Sequence, residues 1–444
     1  MQYDRGVNKV KGGYKVMKKL RKSIGVVLSA IMVATAFTGC GKGAVSSVTD
    51  GDKKVVLTYA LADPQDYAYW DEKSTEFTKE HPNITVDIEC FGGTDEMMKN
   101  LKIRQSANEL PDVIQLKPDF INDFKSFLLE WDENDPMVKN NTFAAKFKQD
   151  EKIYGLPLRS FSEFVYYKKS IFKELGLTIP ETWEDFIATA EKIKEESDYI
   201  PIAMGGKDVW PVYPFNEFMP HLVGNDEKIL TNITKEDEPF STGSGFYEAY
   251  KMIDALYRTN VMGTDPLGMG CDQCQQLFEA NKAAMILLGQ WYLPNYLERV
   301  GNADDLGFFA LPVVHEGETN RLMTMADNFL TINKNSENVE AAKLFIEWSF
   351  SKEIYSGYLT ATLNNSTVAG IDNDNPLFKE FRDNNKADLF LYYPGDENYS
   401  KLVNQTKFDT KNIGQKMLAG ESFEDILAEM NEAWKAARAE LGIQ

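Results

Sequence analysis

Residues 55–116 read VVLTYALADPQDYAYWDEKSTEFTKEHPNITVDIECFGGTDEMMKNLKIRQSANELPDVIQL, and their apolar residues switch repeatedly between two periods. Val55–Ala60 is an unbroken run of the kind found in buried strands, whereas Tyr67–Lys79 places Tyr69, Trp70 and Phe77 at helical spacing. Asn83–Ile88 alternates as a second strand, Asp95–Ala107 returns to the helical period, and Pro111–Leu116 is a third strand. Strand, helix, strand, helix, strand predicts a parallel α/β sheet with covering helices. The loops that follow strand C-termini in such a sheet border the ligand crevice. This gathers Asp63–Tyr67, Phe91–Thr94 and Lys117–Asp119 at one rim.

The same grammar continues downstream. Tyr154-Gly155-Leu156-Pro157 precedes an apolar strand, Phe164–Tyr167, and a short helix over Ser170–Leu175. Thr182 followed by Asp185 is a capping-box start for a helix running to Glu195, with Trp183 and Phe186 facing inward. Phe215–Val223 and Gly245–Arg258 read as helical, Ala283–Leu288 as a strand ending at Gly289-Gln290-Trp291, and Leu306–Leu311 as a short strand. The tail is helical over Val339–Phe350 and Phe423–Ala437. Trp70, Trp183, Trp348 and Trp434 fall at core spacing on helices and are expected to pack.

The N-terminus carries an address. Lys18, Lys19, Arg21 and Lys22 lead into an apolar run from Ile24 to Phe37, the layout of an export signal. The run is too short to cross a bilayer comfortably. It ends Phe37-Thr38-Gly39-Cys40, which resembles the lipobox of bacterial lipoproteins, with Phe37 where a branched aliphatic residue is usual. The resemblance implies lipidation of Cys40, which places a signal peptide over 1–39 and a flexible tether over 40–52. Met17 is the more natural start.

The chain has 48 Lys and Arg against 68 Asp and Glu. The first 39 residues hold eight of the basic side chains and one acidic, so the remainder carries 40 against 67. A surface of that sign repels phosphate backbones and argues against nucleic-acid binding. About 400 residues are too many for a single compact core and suit two domains. Cys271-Asp-Gln-Cys274 reads as a local disulfide or two free thiols, with a functional redox pair as the alternative; His81, His221 and His315 do not supply ligand spacing for zinc, so no metal is expected. No G-x-S-x-G, H-E-x-x-H or P-loop sequence is present, and no cofactor is implied.

The order of landmarks resembles the extracellular solute-binding proteins of ABC importers, the family that includes maltose-binding protein. The resemblance rests on Glu80-His81-Pro82-Asn83-Ile84-Thr85-Val86, Leu110-Pro111-Asp112-Val113-Ile114, Tyr154-Gly155-Leu156-Pro157 and Tyr166-Tyr167-Lys168-Lys169. It continues through Pro180–Phe186, Asn281–Met285, Gly289-Gln290-Trp291, Leu311-Pro312 and Asn333–Phe345. It implies a two-lobed α/β fold of periplasmic-binding-protein type II, with a hinge and three crossover segments near Arg159–Glu163, Leu311–Pro312 and Thr362–Asn365. One lobe would hold 53–160 and 312–363, the other 164–310 and 364–444. The implied protein is a monomer that closes its lobes on a carbohydrate, most naturally an oligosaccharide, and hands it to permease subunits driven by a cytoplasmic ATPase. The alternatives are an extracellular glycan-active enzyme and a binder of a solute other than sugar.

Sugar sites pair aromatic platforms with groups that donate and accept several hydrogen bonds. On position within the implied fold, Arg159, Phe161, Ser162 and Glu163 floor the cleft. Trp291 takes the place of a stacking aromatic, and the loop Gly205–Tyr213 offers Lys207, Asp208, Trp210 and Tyr213. Asp63, Tyr67, Phe91, Lys117 and Asp119 are expected on the opposite rim, and the resemblance implies that Asp327-Asn328 form a turn at the cleft. Tyr392-Tyr393 suggests iron chelation, but neighbours on a strand point to opposite faces.

Overall fold

A computed structural model describes residues 54–443; the export signal, Cys40 and the tether through residue 52 lie outside them. Among the described residues the nine strands are β1 (Val55–Leu61), β2 (Ile84–Cys90), β3 (Val113–Leu116), β4 (Leu156–Lys168), β5 (Ile200–Ala203), β6 (Ala283–Gly289), β7 (Leu306–Phe309), β8 (Arg321–Ile332) and β9 (Asp388–Leu391). β1 pairs in parallel with β2 and β3, with helices α1 (Pro64–Glu80) and α2 (Thr94–Ala107) as the crossovers. Asp63 starts α1 by accepting from the Gln65 N–H at 2.9 Å, ahead of Pro64, whose missing N–H costs nothing in the first turn.

The path across the sheet is β2-β1-β3-β8-β4-β6-β5, with β7 on β4 and β9 on β8. β4 is 13 residues long, far longer than the Phe164–Tyr167 segment expected from the sequence. It pairs with β8 up to Ser162↔Thr324 and with β6 from Glu163↔Gly289. One strand therefore belongs to two half-sheets. A further segment, just after the helix Lys352–Thr362, meets it at the bridge Ser160↔Asn365.

Each half has its own packing. Leu57, Tyr59, Trp70, Phe77, Phe345 and Trp348 form a cluster on the first half, and Trp183, Phe186, Tyr250 and Trp434 belong to one on the second. All four tryptophans expected to pack do so. The Thr182 cap is also present, its Oγ1 accepting from Asp185 N at 3.1 Å. Leu311 and Met323 pack in the cluster of Trp183 and Trp434, and Ala326 and Phe329, later along β8, in the cluster around Ile114 and Phe124. Asp327 and Asn328 thus lie inside a strand, not in a turn.

Candidate ligand site

Alternate side chains leave a strand on opposite faces, so Arg159, Phe161 and Glu163 share one face of β4 and Ser160 and Ser162 the other. The Ser162 hydroxyl lies 2.9 Å from Thr324 Oγ1 and accepts from Asn365 Nδ2 at 3.2 Å. Ser162 is wholly buried and ties β4 to its neighbours.

Arg159 is the centre of a charged cluster. Its Nη2 donates to Asp63, its Nη1 to Asp66 and its Nε to Asp327, each at 3.1 Å. Lys117 Nζ bonds both oxygens of Asp327 at 2.8 Å. Asp66 Oδ2 accepts from Gln115 Nε2 and Asn328 Nδ2 at 2.7 Å, and its Oδ1 accepts from the Tyr358 hydroxyl at 3.0 Å. Asn328 has φ 51°, a left-handed conformation that lets it and its neighbour Asp327 reach the same cluster from within one strand.

Burial alone would raise the Asp327 carboxyl, but Lys117 and Arg159 outweigh it and hold it below the usual carboxylate range. Asp66, deeper and beside Asp63, is pushed up by burial against the pull of Arg159. Arg159, Asp66 and Asp327 are buried, whereas the side chains of Asp63 and Lys117 keep 34% and 32% of their exposure. The buried trio therefore fixes two open groups, an acceptor and a donor, on one wall.

Farther along the same face, Glu163 Oε2 accepts from the Tyr213 hydroxyl at 2.5 Å, and that hydroxyl accepts from Gly289 N at 2.9 Å. Burial pushes the Glu163 carboxyl up to about 8, the Tyr213 hydrogen bond opposing and Glu217 adding to the rise. Among the described residues its Oε1 has no hydrogen-bond partner. Trp210 stacks at 6.1 Å on Tyr213 and lies 5.8 Å from Trp291, ring centre to ring centre. These two tryptophans are among the few exposed large hydrophobic side chains, at 39% and 38%. Val209, with φ 65° and ψ −59°, occupies a tight strained turn unusual for a β-branched residue and aims Trp210. Gln290 anchors Trp291 from behind, donating to Leu363 O at 2.6 Å and accepting from Ser162 N at 3.2 Å.

Of the residues expected at a ligand, Asp63, Lys117, Arg159, Asp327 and Asn328 converge on one cluster, and Glu163, Trp210, Tyr213 and Trp291 on the other. Phe161 lies half-buried on the β4 face between them. Asp208 does a structural job, its carboxylate accepting from Cys271 N at 2.6 Å at the start of the helix Cys271–Glu279. Lys207 is exposed. Tyr67 is turned toward Asp71, with Cys90 and Asp87 beyond it, and Phe91 packs against the apolar cluster under α2. Cys271 and Cys274 are free thiols. Among the described residues no group of three or more His, Cys, Asp or Glu is arranged to hold a metal ion.

The sequence signature of the bacterial extracellular solute-binding proteins matches residues 62–356, a stretch carrying both clusters almost entirely. The chain belongs to this family. As a bacterial extracellular solute-binding protein it is exported, and its fold is the two-lobed type II form. The multiple sugar-binding protein of Streptococcus mutans is 24% identical over 81% of this chain and 86% of its own length. The melibiose/raffinose/stachyose-binding protein of Bacillus subtilis is 23% identical over 72% and 75%. Among solved structures, apo RafE of Streptococcus pneumoniae superposes with a TM-score of 0.74 at 18% identity, covering 87% of this chain and 99% of that one. A mannobiose complex of a Bifidobacterium animalis binding protein gives 0.68 at 20%, over 88% and 96%.

Gln115 and Tyr358 are not among the expected residues, and Asp66 falls in the expected rim segment Asp63–Tyr67 without being a ligand candidate of its own. Asp66 reads as an ordinary first-turn acid of α1, and its one signal is its place three residues after Asp63 at the end of β1.

Proposed function

We propose that this chain is the carbohydrate-capturing subunit of an ABC importer, held at the outer face of the cytoplasmic membrane by a lipid on Cys40 and working as a monomer. The observation that carries the reading is the arrangement along one face of β4. Exposed tryptophans fit the apolar faces of a sugar ring, and oriented charged groups fit its hydroxyls. Arg159 and Glu163 are separated by roughly 13 Å of extended strand, which suits a ligand longer than one ring. Names of relatives such as the S. mutans and B. subtilis proteins point to the same ligand class.

In this reading 53–160 and 312–363 form one lobe and 164–310 and 364–444 the other. A sugar touching both lobes binds the closed form more tightly than the open one, and that difference shifts the population toward closure. The closed form then docks on permease subunits coupled to a cytoplasmic ATPase. A thermal-shift screen of mono- and oligosaccharides tests the ligand class, because a cleft ligand raises the unfolding midpoint by mass action. A midpoint unmoved by every sugar would overturn it. Cys40→Ser is expected to leave unlipidated precursor, and lipidated protein persisting in that variant would remove the anchor.

A further inference from the structure

The loop that carries Trp210 rests on the helix Cys271–Glu279, whose first turn holds both cysteines of the C-x-x-C pair. Asp208 caps that turn from outside, its carboxylate accepting from Cys271 N at 2.6 Å, and Lys207 N donates to Met269 O at 3.1 Å. Gly205 comes so close that a Cβ there would fall 2.8 Å from both Cys271 N and Cys271 Cα. The stretch leading into Trp210 is thus seated on the turn, backbone against backbone. The same helix reaches the second tryptophan. Gln275 Nε2 donates to Cys271 Sγ at 3.3 Å, and its Oε1 accepts from Arg299 Nη2 at 2.6 Å. Glu279 Oε1 accepts from Arg299 Nε and from the Tyr292 hydroxyl, each at 3.0 Å. Tyr292 and Arg299 belong to the helix Tyr292–Val300, which Trp291 immediately precedes.

Residues three apart on a helix are neighbours on one face, with Cβ atoms about 5–6 Å apart. Their Cα separation, about 5 Å over one turn, lies in the range a disulfide spans, and closing the bond needs the Cβ atoms drawn to about 4 Å by a tightening of that turn. Cys271 and Cys274 are buried in the cluster of Tyr166, Phe278 and Ile286, a setting that holds a neutral disulfide as readily as two thiols. Burial pushes the Cys271 thiol up to about 11 and the Cys274 thiol up to about 12. Few thiolates then exist in the folded protein at neutral pH, so exchange there is slow, and a sulfur of high pKa is a poor leaving group once bonded. A bond between the two therefore forms before the turn is buried, while the exported chain folds outside the reducing cytoplasm, and persists afterwards.

We infer that Cys271 and Cys274 are a cross-linking site, joined Sγ to Sγ in the exported protein so that the disulfide staples the turn under Trp210. The two free thiols are its reduced form. The oxidant is a small-molecule disulfide or a disulfide-bearing partner: one cysteine thiolate attacks it, forming a mixed disulfide and expelling a thiolate, and the other cysteine thiolate then displaces the second. The protein gives up two protons and two electrons, and the oxidant becomes two thiols. The bearing of this staple on ligand capture rests on the carbohydrate reading above. To test it, the full chain is unfolded and refolded in mixed oxidised and reduced glutathione, its free thiols are blocked, and the peptide holding both cysteines is read by mass spectrometry. An unblocked peptide two hydrogens lighter than the dithiol is expected. Both sulfurs blocked, or either joined to another cysteine, would overturn the site. Hydrogen exchange then compares the oxidised protein, the reduced protein and Cys271→Ser/Cys274→Ser. The amides of Lys207, Asp208 and Val209, all hydrogen-bonded at the foot of Trp210, are expected to exchange about tenfold more slowly in the oxidised protein than in the other two. Equal rates in all three would overturn the staple. Neither readout uses a sugar, so failure here leaves the carbohydrate reading standing, which the thermal-shift screen tests separately.

Discussion

Arg159 and Asp327 are register partners across β4 and β8, and their side chains meet Nε to Oδ2 at 3.1 Å. The bond joins β8 to β4, the strand that is shared between the half-sheets. It also sets the planar guanidinium so that its other two prongs fall on Asp63 and Asp66. Removing the arginine leaves buried Asp66 without a cation and Asp327 with Lys117 alone. Arg159→Met is therefore expected to cost about 3–5 kcal/mol of stability, read as a lower urea midpoint. Arg159→Lys recovers little, because an ammonium group cannot span three carboxylates. A midpoint unchanged in Arg159→Met would mean that the cluster does not hold the strands.

Trp291 makes the opposite case. Its ring is 38% exposed and is backed by Gln290 and Tyr213, so little packing is lost when it is truncated. Trp291→Ala is expected to weaken sugar binding by about 1–3 kcal/mol with less than about 1 kcal/mol of destabilisation. Titration calorimetry beside thermal unfolding separates the two effects. Affinity equal to that of the wild type would take the residue out of the site.

The parts of this architecture legible from sequence are those with a strong local period. β1, α1, β2, α2 and β3 follow from alternation and helical spacing, and the rule that ligand loops follow strand ends already brings Asp63 and Lys117 together. β8 was hidden because Asp327-Asn328 look like a turn: two short polar residues interrupt an apolar run. In the structure their polarity is consumed by Arg159, Lys117 and Asp66, partners more than 150 residues away in sequence. Ser162 and Asp208 take up internal hydrogen bonds that the sequence does not announce, for a related reason. Which face a side chain takes, and whether a distant backbone N–H claims it, depends on tertiary pairing.

Asn328 offers a test of stored backbone strain. Its φ of 51° suits glycine, while its side chain donates to Asp66 at 2.7 Å. Asn328→Gly loses only the hydrogen bond, whereas Asn328→Ala also loses the tolerance for a left-handed backbone. Alanine is expected to be less stable than glycine by about 1 kcal/mol, an inversion of the usual order. Equal unfolding midpoints for the two variants would argue that the conformation carries no strain.

Glu163 and His221 make opposite demands on pH. Burial raises the Glu163 carboxyl to about 8, so the folded protein holds a proton that the unfolded chain has released above its ordinary range near 4.5. Stability from this group is complete below about 4.5 and is lost as pH rises toward 8. His221 is buried with Nδ1 3.2 Å from Asp226 O, and burial lowers its ring to about 4 despite Glu217 and Asp226. Its contribution is present above about 6.5 and is lost as pH falls toward 4. Between about 4.5 and 6.5 the two slopes cancel in part, and above 6.5 that of Glu163 acts alone. Glu163→Gln keeps the shape and remains neutral, so it is expected to abolish the decline between pH 6.5 and 8 and to expose the rise due to His221 at lower pH. At pH 8 it should be the more stable protein, by an amount on the order of a few kcal/mol, and near pH 4 the difference should nearly vanish. Denaturant midpoints measured from pH 4 to 9 read both limbs; a variant and wild type that run parallel across the range would place an ionised carboxylate at Glu163.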